Sequence, residues 1–329
     1  MLLSKQPPWG AFFVLSMLMA CLSLAIFLRT PLRNLLLDRP NSRSLHNRPV
    51  PRIGGLGILF ALSASVIVRG TTLPWPIWCA LMMVVGVSLL DDQRSVSAAL
   101  RLPVHLAAGA LVAWVTLPQA SILWVVVLTV ALAWLINLYN FMDGSDGLAG
   151  TQSVVGFGAM ALVAHWGGDP SLACTCAALA GGALGFLVFN WPPARVFMGD
   201  AGSTALGTLA GAIGAWGVHR GLWLPSFPVL AFFPFIFDAS LTLADRVWRR
   251  QPIWQAHRDH AYQRLILSGW GHRNTLLVYS LWMMACAGVA LTGASSKLQP
   301  LVYLFVLIAS TVLYGIFRVL PRLQRSNRG

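Results

Sequence analysis

The chain has 329 residues, of which 57% are hydrophobic and 10% charged, and its mean hydropathy is +0.70. That composition excludes a soluble globular enzyme and predicts an integral membrane protein, since a spanning helix takes about 20 mainly apolar residues. The net charge of +13 would suggest nucleic acid in a soluble protein, but in a membrane protein it marks the cytoplasmic face, so no nucleic-acid partner is expected.

In chain order, apolar runs near 10–30, 53–69, 73–90, 100–117, 121–137, 147–166, 171–190, 203–219, 223–243, 275–293 and 299–320 predict eleven transmembrane helices. Several runs are short or rich in Gly, which leaves the count at ten or eleven. The fold class is therefore all-α, a polytopic helix bundle, and the brief connections predict one domain over residues 1–329. Alternating the loops puts 19 Lys and Arg on one side and 4 on the other. The positive-inside rule then places the N-terminus outside and the C-terminus inside the bacterial plasma membrane. All five cysteines fall in predicted spans and read as small apolar packing. The stretch Leu18–Cys21 resembles a lipoprotein cleavage box, but the basic charge after the first span exceeds that before it, the reverse of a signal peptide.

The acidic residues carry the functional signal. There is no glutamate, and nine of the ten aspartates fall on the predicted inner side; Asp169 is the exception. A carboxylate at the bilayer centre costs roughly 2.5–3.5 kcal/mol or more, so a cluster at one membrane edge points to a metal or phosphate site with arginines around it.

Five inner segments build that site. The first runs from Asp38 through Arg43-Ser44-Leu45-His46 to Arg52-Ile53-Gly54-Gly55, where glycines at a helix start expose N–H groups suited to an anion. Read blandly, it is a basic loop with a flexible helix start. The second is Asp91-Asp92 at the end of the third span. Adjacent helical residues point about 100° apart, so one should face a ligand and the other an Arg or a backbone group. The helix dipole disfavours negative charge there, so a compensating cation is expected. The third segment is Asn137 to Gly150, with Asn140, Asp143 and Asp146 recurring every three residues and so predicted near one helical face. Its DxxDG spacing superficially resembles a calcium loop but lacks the later acidic ligand. The fourth runs from Asn190 through Pro192-Pro193 to Gly199-Asp200-Ala201-Gly202, where the bland reading of Asp200 is an N-cap. The fifth, His257-Arg258-Asp259-His260-Ala261-Tyr262-Gln263-Arg264, lacks an obvious third zinc ligand and suits a diphosphate-binding surface. His105, His165 and His219 read as structural, and Asp238 reads equally as a buried site residue or a helix-end group.

The segments RSLH…PRIGG, DD, NFMDGSDGL, FMGDAGS and HRDHAYQRL, in order from about residue 38 to 264, resemble the polyprenyl-phosphate N-acetylhexosamine-1-phosphate transferase family. The resemblance implies transfer of HexNAc-1-phosphate from a UDP-HexNAc to undecaprenyl phosphate, releasing UMP, with Mg²⁺ (or Mn²⁺) as cofactor. It implies that Asp91 activates the lipid phosphate or attacks directly, with Asp92 as its essential neighbour. Asp200 is the implied metal ligand, supported by Asp143. Asn140, Asp143 and Asp146 serve the nucleotide side, and His257 and His260 contact the diphosphate. Arg52, Asn190, Arg258 and Arg264 complete the expected donor-binding set. The histidine run is sparser than in the peptidoglycan branch, and the chain resembles instead the enzymes that start O-antigen or related surface glycans on UDP-GlcNAc, UDP-FucNAc or UDP-QuiNAc. Phospho-N-acetylmuramoyl-pentapeptide transfer is the alternative. A secondary transporter and an aspartate-rich prenyltransferase or CDP-alcohol phosphotransferase are the rivals of other kinds. A homodimer is left open.

Overall fold

A computed structural model describes residues 8–34, 36–38, 40, 48–71, 73–94, 96–252, 257–292 and 299–326. Of the first predicted segment, Arg39 and Asn41 to Asn47, including the RSLH run, lie outside the described residues. The elements are α1 (Trp9–Arg29), a 3₁₀ turn (Pro31–Asn34), β1 (Leu37–Asp38), β2 (Val50–Pro51), α2 (Gly54–Arg69), α3 (Trp75–Gln93), α4 (Ala98–Thr116), α5 (Ile122–Met142), α6 (Leu148–Trp166), α7 (Pro170–Asn190), α8 (Asp200–His219), α9 (Ser226–Ala231), α10 (Phe233–Trp248), α11 (Ala261–Leu265), a π turn (Ile266–Trp270), α12 (Gly271–Thr292) and α13 (Gln299–Ser326). Each of the eleven predicted apolar runs is helical.

Seven helical stretches among the described residues are long and apolar enough to cross a membrane, and two shorter apolar helices, Gly54–Val68 and Tyr303–Val319, accompany them. Leu18, Leu22, Ile67, Ile122, Leu123 and Val130 face outward, well exposed. Water does not tolerate such a belt, whereas lipid does. The protein is an all-α, multi-pass membrane protein.

Proline sets several boundaries. Pro74 and Pro76 start α3, and Asp169 caps α7 by accepting the Leu172 N–H ahead of Pro170. The run predicted near 223–243 is broken into α9 and α10 at Phe232, with Pro234 lacking the N–H that would continue the ladder. The central helices are α7, packed on α1, α2 and α6, and α8, packed on α2, α3 and α5. At the α2–α8 crossing a Cβ on Gly55 would lie 2.2 Å from Gly202 Cα. Only glycine at both positions allows the two backbones this close, and that contact brings α2 against the start of α8.

Candidate functional site

Three helix ends meet at one end of the bundle. α3 closes with Asp91 and Asp92, α5 carries Asn140 just ahead of Asp143, and α8 opens with Asp200. The Asp92 carboxylate accepts the backbone N–H groups of Asp200 and Ala201, each at 3.0 Å, and its side chain is 1% exposed. A carboxylate there satisfies orphan donors and sits well in the field of the α8 dipole. The preceding residue, Gly199, has φ 79°, and a Cβ on it would lie 2.8 Å from the Arg52 carbonyl oxygen. Asp200 is thus the first residue of the helix rather than its cap, which leaves its side chain turned to the site and 31% exposed.

Asp91 accepts the Val96 N–H at 2.7 Å and pairs with the Arg101 guanidinium. The same guanidinium lies 3.7 Å from Asp200 Oδ2. Arg101 is the compensating cation that a carboxylate at a helix C-terminus requires, and it ties Asp91 to Asp200. Both members of the Asp pair are held by the protein, Asp92 through the backbone and Asp91 through the cation.

Asp143 follows α5 with φ −85° and ψ 18°. Burial, and then the carboxylates of Asp200 and Asp92, hold it well above the ordinary carboxylate range, against the opposing charge of Arg52. Arg52 directly follows β2, which pairs antiparallel with β1 so that Asp38 stands opposite Val50, and is held by an ion pair to Asp38 at 2.7 Å; it also lies 3.9 Å from Asp92. Carboxylates crowded in this way favour a bound cation. No group of three His, Cys, Asp or Glu suited to a metal stands among the described residues. Mg²⁺, however, needs only one or two carboxylates when substrate phosphates supply other ligands, and Asp200 with Asp143 fits that requirement.

Asn140, Asp143 and Asp146 do not share a helical face, because α5 ends at Met142. Asn140 donates to Ser203 Oγ at 3.2 Å. Asp146 points away, accepting the Ala194 N–H at 2.9 Å and lying 3.6 Å from His272 Nδ1. Asn190 is buried, and its amide is taken up by the scaffold: Oδ1 accepts the Gly147 N–H at 2.7 Å and Nδ2 donates to the Val196 carbonyl at 2.8 Å. The N–H groups of Gly54 and Gly55 likewise donate to the carbonyls of Phe197 and Met198, at 2.9 and 2.8 Å. They are not available to an anion; those glycines serve helix packing.

The basic segment precedes α11, so its two histidines do not share a helical turn. Their rings lie 5.0 Å apart. His260 is the N-cap, 3% exposed and stacked on Tyr262. Burial, then the neighbouring His260 and the Arg246 guanidinium, lower the His257 pKa to about 4 despite Asp259. Asp259 pairs with both Arg246 and Arg264, so Arg264 serves the loop's internal ion pairs. Arg258 lies in the same described loop. Burial pushes Asp259 up, but the hydrogen bond from Arg246 and the nearby cations hold it below the ordinary range.

Sequence reasoning missed His272, which meets Ser145 Oγ at 3.1 Å and the Asp146 N–H at 3.3 Å. The available signal was a histidine just after the glycines at 269 and 271, at no informative spacing from the aspartates. Elsewhere in the bundle, α5, α8, α9 and α10 wall an apolar cavity of about 830 Å³, running from Leu117 and Trp124 past Ala131 and Ala215 to Leu138. It ends near the turn of α5 that carries Asn140.

Residues 74–217 match the model of glycosyl transferase family 4. The chain is 28% identical over 324 residues to a probable undecaprenyl-phosphate N-acetylglucosaminyl 1-phosphate transferase of Bacillus subtilis (strain 168), covering 90% of this chain and 88% of that one. It is 29% identical to a decaprenyl-phosphate N-acetylglucosaminephosphotransferase of Mycobacterium tuberculosis (strain CDC 1551 / Oshkosh), covering 88% and 82%. Similarity to a phospho-N-acetylmuramoyl-pentapeptide-transferase of Synechococcus sp. (strain RCC307) is 37% but spans 53% of this chain and 49% of that one.

Proposed function

We propose that the chain is a polyprenyl-phosphate N-acetylhexosamine-1-phosphate transferase of the glycosyl transferase family 4 kind, as its similarity to such enzymes supports, and that it moves HexNAc-1-phosphate from UDP-GlcNAc or a related UDP-HexNAc onto undecaprenyl phosphate. UMP is the other product, and the lipid-linked sugar starts an O-antigen or similar surface glycan. The active site faces the cytoplasm of a bacterial inner membrane, where the nucleotide sugar is made. The observation that carries this reading is the convergence of Asp91, Asp92, Asp143 and Asp200 with Arg52 and Arg101 at one bundle end.

In the proposed reaction an oxygen of the lipid phosphate bonds to the β-phosphorus of the donor, and the bond from that phosphorus to the bridging oxygen breaks, so UMP departs with that oxygen. The acceptor phosphate has a second pKa near 6, as phosphomonoesters do, and is largely dianionic at neutral pH, so it needs orientation more than deprotonation. Asp91, already engaged by Arg101 and the Val96 N–H, suits an orienting role in single displacement better than that of a free nucleophile. Arg52 and Arg101 offer positive charge to the phosphates. Asp200 and Asp143 would hold Mg²⁺, which supplies charge neutralisation in phosphoryl transfer. The apolar cavity suits the polyprenyl chain.

The test is UMP release by purified protein given undecaprenyl phosphate, Mg²⁺ and a panel of UDP-HexNAc donors, with an EDTA control. Lipid-dependent, EDTA-sensitive UMP from one donor is expected, and Asp200→Asn should abolish it. Solute uptake without UMP release would overturn the reading, and a phosphoprotein trapped with donor alone would replace single by double displacement.

A further inference from the structure

Asp238 lies in α10, outside the carboxylate cluster, and is completely buried. A buried carboxylate without partners is prohibitively costly. This one accepts the Ala261 N–H at 2.9 Å, the Tyr262 N–H at 3.4 Å, the Tyr279 hydroxyl at 2.6 Å and the Thr242 hydroxyl at 3.1 Å. His260 Nδ1 stands 3.7 Å away. Its partners come from three elements: α10 itself, the start of α11, and α12. The backbone donors are those at which the basic segment 257–264 turns into α11.

From there the connection continues to the aspartate turn. Tyr262, whose N–H meets Asp238, reaches back with its hydroxyl to donate to the Phe141 carbonyl at 2.9 Å. A Cβ on Gly144 would lie 2.3 Å from that hydroxyl, so the turn after Asp143 is seated directly on Tyr262. Asp238 therefore sets where α11 begins, α11 sets Tyr262, and Tyr262 bears on the backbone either side of Asp143. His257 and Arg264 are carried by the same segment. None of this is needed for a helix to cross a membrane, since a threonine or leucine at 238 would meet that requirement without the desolvation cost.

We propose that Asp238 is a positioning residue that fixes the basic segment 257–264 and, through Tyr262, the Asp143 turn, so that the two halves of the donor-phosphate site keep their register. The effect on catalysis rests on the transferase reading above, whereas the effect on local order does not. Since the segment is basic and none of its residues lines the apolar cavity, the proposed role of Asp238 concerns the water-soluble donor and not the lipid acceptor.

The experiment compares full-length wild type with Asp238→Ala, Asp238→Asn and Tyr262→Phe, all reconstituted in the same lipid. KM is measured separately for donor and acceptor, and amide hydrogen exchange is followed along the chain. Asp238→Ala should raise the donor KM roughly tenfold or more with the acceptor KM within about twofold. Asp238→Asn, which keeps one carbonyl acceptor, should fall between. Exchange should quicken in 257–265 and 141–147 and stay unchanged in α6 and α7. Equal losses for both substrates with uniformly faster exchange mean a merely structural role and overturn the proposal, as does unchanged donor KM. If Asp238→Ala yields no folded protein, Tyr262→Phe decides: a donor KM raised severalfold with Asp238 intact supports the link, and an unchanged one overturns it. If wild type turns over no UDP-HexNAc, the transferase reading falls while the exchange pattern still decides the positioning.

Discussion

Asp92 and Asp200 are joined through the backbone: the carboxylate that ends α3 accepts the N–H groups that begin α8, at 3.0 Å to both Asp200 and Ala201. Asp92 thus fixes the backbone from which Asp200 projects. Replacing a capping acceptor by alanine costs about 0.5–2 kcal/mol, so Asp92→Ala should still fold. Its kcat/KM should fall roughly a hundredfold, and the Mg²⁺ concentration for half-maximal turnover should rise about tenfold, because the proposed metal ligand loses its seat. A Mg²⁺ titration of UMP release checks this. An unchanged Mg²⁺ requirement with lost turnover would instead make Asp92 a direct participant.

The sequence made the bundle legible because helices in lipid announce themselves by length and apolarity, as in α1, α5 and α7. The aspartates were legible as well, since a carboxylate in so apolar a chain needs a reason. The partners were not. Asp92 meets Asp200 across 108 positions, and Asn190 meets Gly147 across 43. No local period encodes either contact. Gly54 and Gly55 read equally as anion donors or as a flexible helix start, because glycines there leave both open; their N–H groups are taken up by the carbonyls of Phe197 and Met198. Asp238, read equally as a buried site residue or a helix-end group, lies buried inside α10 and takes donors from α11 and α12, 23 and 41 positions on.

Asn190 illustrates the distinction between holding the site and contacting substrate. Alanine there would strand the Gly147 N–H and the Val196 carbonyl, both bonded to its amide. An unsatisfied buried polar group costs about 1–3 kcal/mol. Asn190→Ala should therefore lower the unfolding midpoint clearly while shifting donor and acceptor KM together. A selective rise in donor KM at unchanged stability would return Asn190 to the binding set.

His257 gives a pH dependence of definite sign. Its pKa is lowered from 6.5 to about 4, first by burial, then by His260 and Arg246, with Arg264 adding and Asp259 opposing. Below 6.5 the unfolded chain takes up a proton that the folded chain refuses, so stability falls as pH drops from about 6.5 to about 4 and this loss levels off below. Asp259, held below 3.8, contributes only beneath that range. Asp143, raised by burial and by Asp200 and Asp92, has the opposite slope in part of it. The wild-type minus His257→Gln difference in unfolding midpoint cancels both. That difference should shrink as pH falls from 7 to 5, in the direction of lost wild-type stability, and a pH-independent difference would contradict a neutral His257.

The apolar cavity between α5, α8, α9 and α10 makes the acceptor side testable apart from the donor side. Ala131 is exposed on α5 within it, so a larger side chain there fills space without disturbing the packed face of the helix. A polyprenyl chain lying in the cavity loses burial worth roughly 0.8 kcal/mol for each CH₂ displaced. Ala131→Trp should raise the KM for undecaprenyl phosphate by about tenfold or more, the equivalent of displacing two such groups, while leaving the donor KM and the unfolding midpoint nearly unchanged. A short-chain acceptor that does not reach Ala131 should be insensitive to the substitution. If both acceptors suffer equally, the chain does not run along this cavity, and if neither does, the cavity belongs to the bilayer lipid.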